Sequence, residues 1–110
     1  MELIITNNPL VQERNRCIYI EGTYLQVLQK VRDYIHERHK LITHPLSGSV
    51  KPNETPYKSV IVSAEAGELC VQSLSIIEES IATCEKFPAQ SIPQNALRDF
   101  MEIDYSLLNL

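Results

Sequence analysis

The sequence predicts an α/β domain: a small, mostly parallel four-stranded sheet flanked by about three helices, in the order β-β-α-β-β-α-α. Three observations predict it. Short β-branched runs stop at turn-forming residues, the pattern of strands covered on both faces. Elsewhere apolar residues recur at intervals of three and four, the spacing of one helix face. A run directly after such a stretch closes a βαβ unit, whose crossover is right-handed. At 110 residues, 44% of them apolar, the chain forms one domain, since about two-thirds of an open chain's surface is buried at this size.

Leu3-Ile4-Ile5-Thr6 is apolar on both faces and reads as a central strand stopped by Asn7-Asn8-Pro9. Residues 11–16 are polar and turn-like. Cys17-Ile18-Tyr19-Ile20-Glu21 is the second strand, ended by Gly22. Thr23 and Gln26 match a capping box, and Tyr24, Leu28, Val31 and Ile35 then keep helical spacing over about 24–39. Lys40-Leu41-Ile42-Thr43-His44 reads as a short third strand. Residues 45–58 hold three prolines, one glycine and no periodicity. They form a loop, and a loop that long in a compact domain tends to carry function. Ser59-Val60-Ile61-Val62-Ser63 is the fourth strand. Cys70, Leu74, Ile77, Ile81 and Cys84 mark a second helix that Ser63 caps, with Glu65 and Glu68 in its first turn and Pro88 at its end. Leu97, Phe100 or Met101, Asp104, and Leu107 or Leu108 mark the last helix.

Fourteen acids against ten bases give a net charge of −4, the wrong sign for general attraction to phosphate backbones, so no nucleic-acid partner is expected. With no apolar run near the roughly 20 residues of a bilayer span and no signal-peptide pattern at Met1-Glu2-Leu3, no membrane association and a cytoplasmic location are expected. Residues 1–60 carry eight bases and six acids, residues 61–110 two bases and eight acids, so the halves stand at +2 and −6. Cys17, Cys70 and Cys84 are odd in number, far apart and set among apolar residues, which makes them core thiols and not a disulfide or zinc framework.

In open α/β sheets ligands bind beyond the carboxyl ends of the strands. Read that way, Asn7, Asn8, His44, Ser47, Ser49, Lys51, Lys58 and Glu65 converge as a candidate ligand site, although strand ends are polar in any sheet. Bases on the loop and acids at the helix start suit mutual salt bridges or a zwitterionic ligand such as an amino acid. No G-x-G-x-x-G and no Walker loop is present, which excludes those nucleotide-binding families. His36, His39 and His44 lack the further ligand that a metal site needs, and nothing calls for a cofactor. His44 is the candidate catalytic acid or base, with Ser47 a hydroxyl within reach of it.

Ile5-Thr6-Asn7-Asn8-Pro9-Leu10-Val11, the stretch from His44 to Ser59, and Asp99-Phe100 with Ile103-Asp104 resemble the GrdX family, small proteins encoded beside the glycine reductase complex of amino-acid-fermenting anaerobes. The resemblance implies an association with reduction of glycine, sarcosine or betaine and transfers no catalytic residues. Three functions follow as expectations. The first is an accessory protein binding a small anionic or zwitterionic ligand at the strand ends and the 44–58 loop. The others are a small enzyme using His44, and an interaction module docking on a glycine reductase component. The terminal Leu107, Leu108 and Leu110 either pack on the core or seal a homodimer.

Overall fold

The computed structural model describes residues 2–47, 52, 54–87 and 91–110. A three-stranded mixed sheet is covered by helices on both faces. In chain order the elements are β1 (Glu2–Thr6), α1 (Pro9–Arg14), β2 (Ile18–Tyr19), α2 (Tyr24–His36), β3 (Ser59–Ser63), α3 (Val71–Lys86) and α4 (Leu97–Leu107), with a 3₁₀ turn at Gln94–Ala96. The strand order is β2-β1-β3; β1 runs parallel to β2 and antiparallel to β3, with Glu2 opposite Ser63 and Thr6 opposite Ser59.

The two-residue side-chain period of a strand divides the core. Ile5, Val60 and Val62 point to the α2/α3 side and pack with Val27, Leu28, Val31, Ile35, Ile77, Ile81 and Cys84. Ile4 and Ile61 point to the other side, where Val11 and Leu108 close over them. Thr6 and Ser59 fall in register with Ile4 and Ile61 and therefore face the α4 side too. That parity brings two hydroxyls against α4 where the pattern would otherwise continue apolar.

The sheet corrects the expected architecture: it has three strands and is mixed, not four and mostly parallel, and four helices flank it. The segment expected as a third strand touches β3 through one antiparallel bridge, Leu41 to Val62. The amides of Ile42 and Thr43 both donate to Ile61 O (2.9 and 3.2 Å), and Thr43 Oγ1, in place of a main-chain carbonyl, accepts from Ile61 N at 2.9 Å. A ladder cannot propagate through that exchange. The direction of β3 agrees with its connection, because among the described residues of 44–58 there is no crossover helix, which a parallel return needs.

Two helix boundaries also differ from expectation. The 11–16 stretch lies largely in α1, whose start was hidden in the strand stop: Asn8 Oδ1 accepts from Leu10 N at 3.0 Å, and Pro9 occupies the first turn. Ser63 does not cap α3. Its hydroxyl instead accepts from Lys40 N and donates to Glu65 O (2.8 and 3.0 Å), and Cys70 Sγ caps α3 by accepting from Ser73 N. Glu65 and Glu68 thus precede the helix, exposed. Of the cysteines, Cys84 is fully buried while Cys17 and Cys70 are partly so. Pro88 lies outside the described residues; α3 ends at Lys86. The Thr23–Gln26 capping box forms as expected.

Helix α2 ends in a Schellman turn: Arg38 N donates to Ile35 O and His39 N to Tyr34 O (2.9 and 3.0 Å), with Arg38 at φ 78°. A side chain in that left-handed conformation costs about 1–2 kcal/mol, whereas glycine carries only a larger unfolded-state entropy of roughly 0.5–1 kcal/mol. Arg38→Gly is therefore expected to stabilise the domain by about 0.5–1 kcal/mol, seen as a higher urea midpoint at unchanged slope.

Candidate functional site

At the carboxyl end of β1 the chain passes through two consecutive asparagines that do different work. Asn7 joins three separated backbone segments: Nδ2 donates to Gly22 O (2.9 Å) and Pro56 O (2.8 Å), and Oδ1 accepts from Lys58 N (2.8 Å). Asn8 caps α1 with its oxygen and sends Nδ2 to Met101 O (3.0 Å) and Asp104 Oδ2 (2.9 Å). Because β3 begins opposite the end of β1, Lys58 and Ser59 arrive at this same edge.

Asp104 is the buried residue of α4, 4% exposed. Its Oδ1 accepts from Ser59 N (3.1 Å), and its Oδ2 accepts from Ser59 Oγ (2.7 Å) as well as from Asn8. A carboxylate has no proton to give, so Ser59 Oγ–H points to Asp104 and its lone pair is left to accept from Thr6 Oγ1 at 2.6 Å. Thr6 Oγ1 accepts in turn from Asn8 N at 2.9 Å. Every polar group of this clasp is satisfied. The clasp fastens α4 to the sheet edge, and Asp104 Oδ1, which accepts one bond among the described residues, keeps acceptor capacity toward the cleft it lines.

Beside the clasp opens a cleft lined by Tyr24, Ser47, Thr55, Tyr57, Lys58, Ile103, Asp104 and Leu107, whose enclosed part is about 20 Å³, room for one water-sized group. Lys58 is 3% exposed. Its Nζ donates to Ser47 O at 3.3 Å and to Ser47 Oγ at 3.4 Å. Among the described residues the ion pairs are Arg32–Glu78 and Arg98–Glu102, so no carboxylate lies within 4.0 Å of Lys58. Burial lowers the Lys58 pKa from its ordinary value, partly opposed by the Asp104 charge. Burial also raises the Tyr24 and Tyr57 phenols, helped by Cys84 and Asp104 at Tyr24 and by Tyr19 at Tyr57, so both stay protonated donors.

The expected site residues divide accordingly. Asn7, Asn8, Ser47 and Lys58 come to one edge. His44 is exposed, and its Nδ1 accepts from Leu46 N at 3.0 Å, anchoring its own turn; what reaches Ser47 from His44 is the backbone bond Ser47 N to His44 O. Glu65 follows the end of β3 that pairs with Glu2, hence at the opposite edge of the sheet. Ser49 and Lys51 lie outside the described residues. Thr6, Ser59, Asp104, Tyr24 and Tyr57 were missed. For Asp104 the signal was present: an acid on the otherwise apolar stripe of the last helix.

A family model described as GrdX-like protein matches residues 3–110. The chain belongs to this family. Comparison with curated proteins and with solved structures yields no match. The clasp and cleft therefore belong to a GrdX-like chain whose matched region spans both. Among its described residues no helix is long and apolar enough to cross a membrane, and no group of three or more His, Cys, Asp and Glu could hold a metal ion.

Proposed function

We propose that this GrdX-like chain is an accessory protein of amino-acid reductase systems that binds a small amino acid, its carboxylate on Lys58 and its ammonium toward Asp104. The observation that carries the reading is that a cation and a carboxylate line one cleft without pairing to each other. Family membership supports the link to glycine, sarcosine or betaine reduction. Because the enclosed space is near 20 Å³, one carboxylate oxygen enters it and the rest of the ligand lies at the mouth, against Ile103 and Leu107.

A desolvated ammonium also weakens the fold, which points to retention for use. The sign follows from proton binding. With its folded pKa lowered, Lys58 holds fewer protons folded than unfolded over the interval between the two values, so stability rises with pH across that interval. Lys58→Met is expected to melt higher than wild type at pH 7, with the gap closing as pH approaches about 10.4, the unfolded value.

Thermal shift with glycine, sarcosine, betaine, acetate and methylamine tests the reading. A ligand at ~100 times its dissociation constant adds about 2.7 kcal/mol, on the order of 10 °C for a domain this small. Glycine should shift wild type more than acetate or methylamine, and Lys58→Met should lose the shift. No shift with any compound overturns the reading. The exposed Ile103 and Leu107 on the cleft side of α4 would then favour docking on a protein partner.

A further inference from the structure

The same cleft places a hydroxyl against an amine. We propose that Ser47 and Lys58 form a nucleophile and general-base pair acting on short-chain activated acyl esters, an inference that rests on the cleft being open to ligands as proposed above. Ser47 Oγ stands 3.4 Å from Lys58 Nζ, a few tenths of an ångström beyond the roughly 2.6–3.2 Å of a committed pair. The base role moves here from His44, whose ring is turned to Leu46 N. Burial favours the neutral amine that a base requires. Tyr57 and Thr55 line the cleft wall, and Ile103 and Leu107 give an apolar rim that admits a short acyl chain.

In the step, Ser47 Oγ attacks the ester carbonyl. The Oγ–C bond forms as the hydroxyl proton passes to Lys58 Nζ, the bond from carbon to the leaving oxygen breaks, and Lys58 returns the proton to that oxygen. Water, deprotonated by Lys58, then hydrolyses the acyl-serine and restores both groups. An amino acid seated on Lys58 holds the amine protonated and occupies the cleft, so ligand and acyl ester compete.

The test is labelling by diisopropyl fluorophosphate, read by intact mass and peptide mapping on the full chain. Attack forms Oγ–P, expels fluoride and leaves the proton on Lys58. Wild type should label at Ser47, more than tenfold faster than Lys58→Met or Ser47→Ala. The rate should rise with pH as Lys58, faced by Tyr24, Tyr57 and Asp104, loses its proton. Absence of label in wild type between pH 7 and 10, or label on another residue that persists in Ser47→Ala, overturns the pair. Because labelling needs no amino acid, the two readings fail separately. Wild type that shifts with glycine yet takes no label overturns the pair alone. Wild type that labels at Ser47 with neither a glycine shift nor protection by glycine overturns the amino-acid reading alone.

Discussion

Asp104→Ala is expected to destabilise the domain by about 3–4 kcal/mol, the largest loss predicted for a single side chain here. The substitution leaves three buried donors without their acceptor: Ser59 N, Ser59 Oγ and the Asn8 amide. Each orphaned donor costs about 1–3 kcal/mol, offset in part because a buried carboxylate no longer has to be desolvated. The loss should be cooperative, since Ser59 bridges Asp104 to Thr6 and Thr6 accepts from the Asn8 backbone. Urea unfolding of Asp104→Ala, Ser59→Ala and the double variant measures this directly. A coupling energy above about 0.5 kcal/mol is expected for partners in one network. Additive effects, or a loss below 1 kcal/mol for Asp104→Ala, would contradict the clasp.

Asn7→Ala is expected to cost about 2–4 kcal/mol and to loosen the approach to the cleft. Its amide ties the carbonyls of Gly22 and Pro56 to the amide of Lys58, and each bond lost inside the fold leaves a main-chain group without this partner. Asn7→Asp should not rescue it. An aspartate keeps the acceptor for Lys58 N but sets its second oxygen against two carbonyls. Hydrogen exchange gives the separate reading, because the Lys58 amide should lose protection in Asn7→Ala by more than the global loss of stability accounts for. Uniform exchange across the sheet would mean that Asn7 contributes stability without positioning Lys58.

Much of this was legible in the residues. The runs at 3–6 and 59–63 are strands, and their two-faced apolar character correctly implies helices on both sides. The Thr23 box and the spacing of Tyr24, Leu28, Val31 and Ile35 define α2. What escaped the reading has a common physical cause. Helix α1 spans six residues, too short for a 3.6-residue period to show, so its one signal was the Asn8-Pro9 cap. The direction of β3 depends on the 44–58 connection, which has no periodicity to read. A parallel fourth strand puts Glu65 at the ligand edge and Ser59 at the far one, and the antiparallel β3 reverses both. Asp104 was visible as a polar interruption of a helical stripe, but its partners appear only when the antiparallel register sets Ser59 opposite Thr6. Asn7, Asn8, Ser47 and Lys58 needed only the end of β1 and the loop, and the fold gathers all four there.

The most direct measurement is an NMR titration of the Lys58 side chain, following its ¹³Cε resonance against pH with and without saturating glycine. The free protein should show Lys58 losing its proton below the usual lysine range because burial disfavours the charge. A carboxylate bound to Nζ favours the charged form, so glycine should move that midpoint upward, and by linkage glycine affinity should fall as pH rises through it. A Lys58 midpoint unchanged at saturating glycine, or a free-protein midpoint at the ordinary lysine value, would contradict the assignment of this cleft as an amino-acid site.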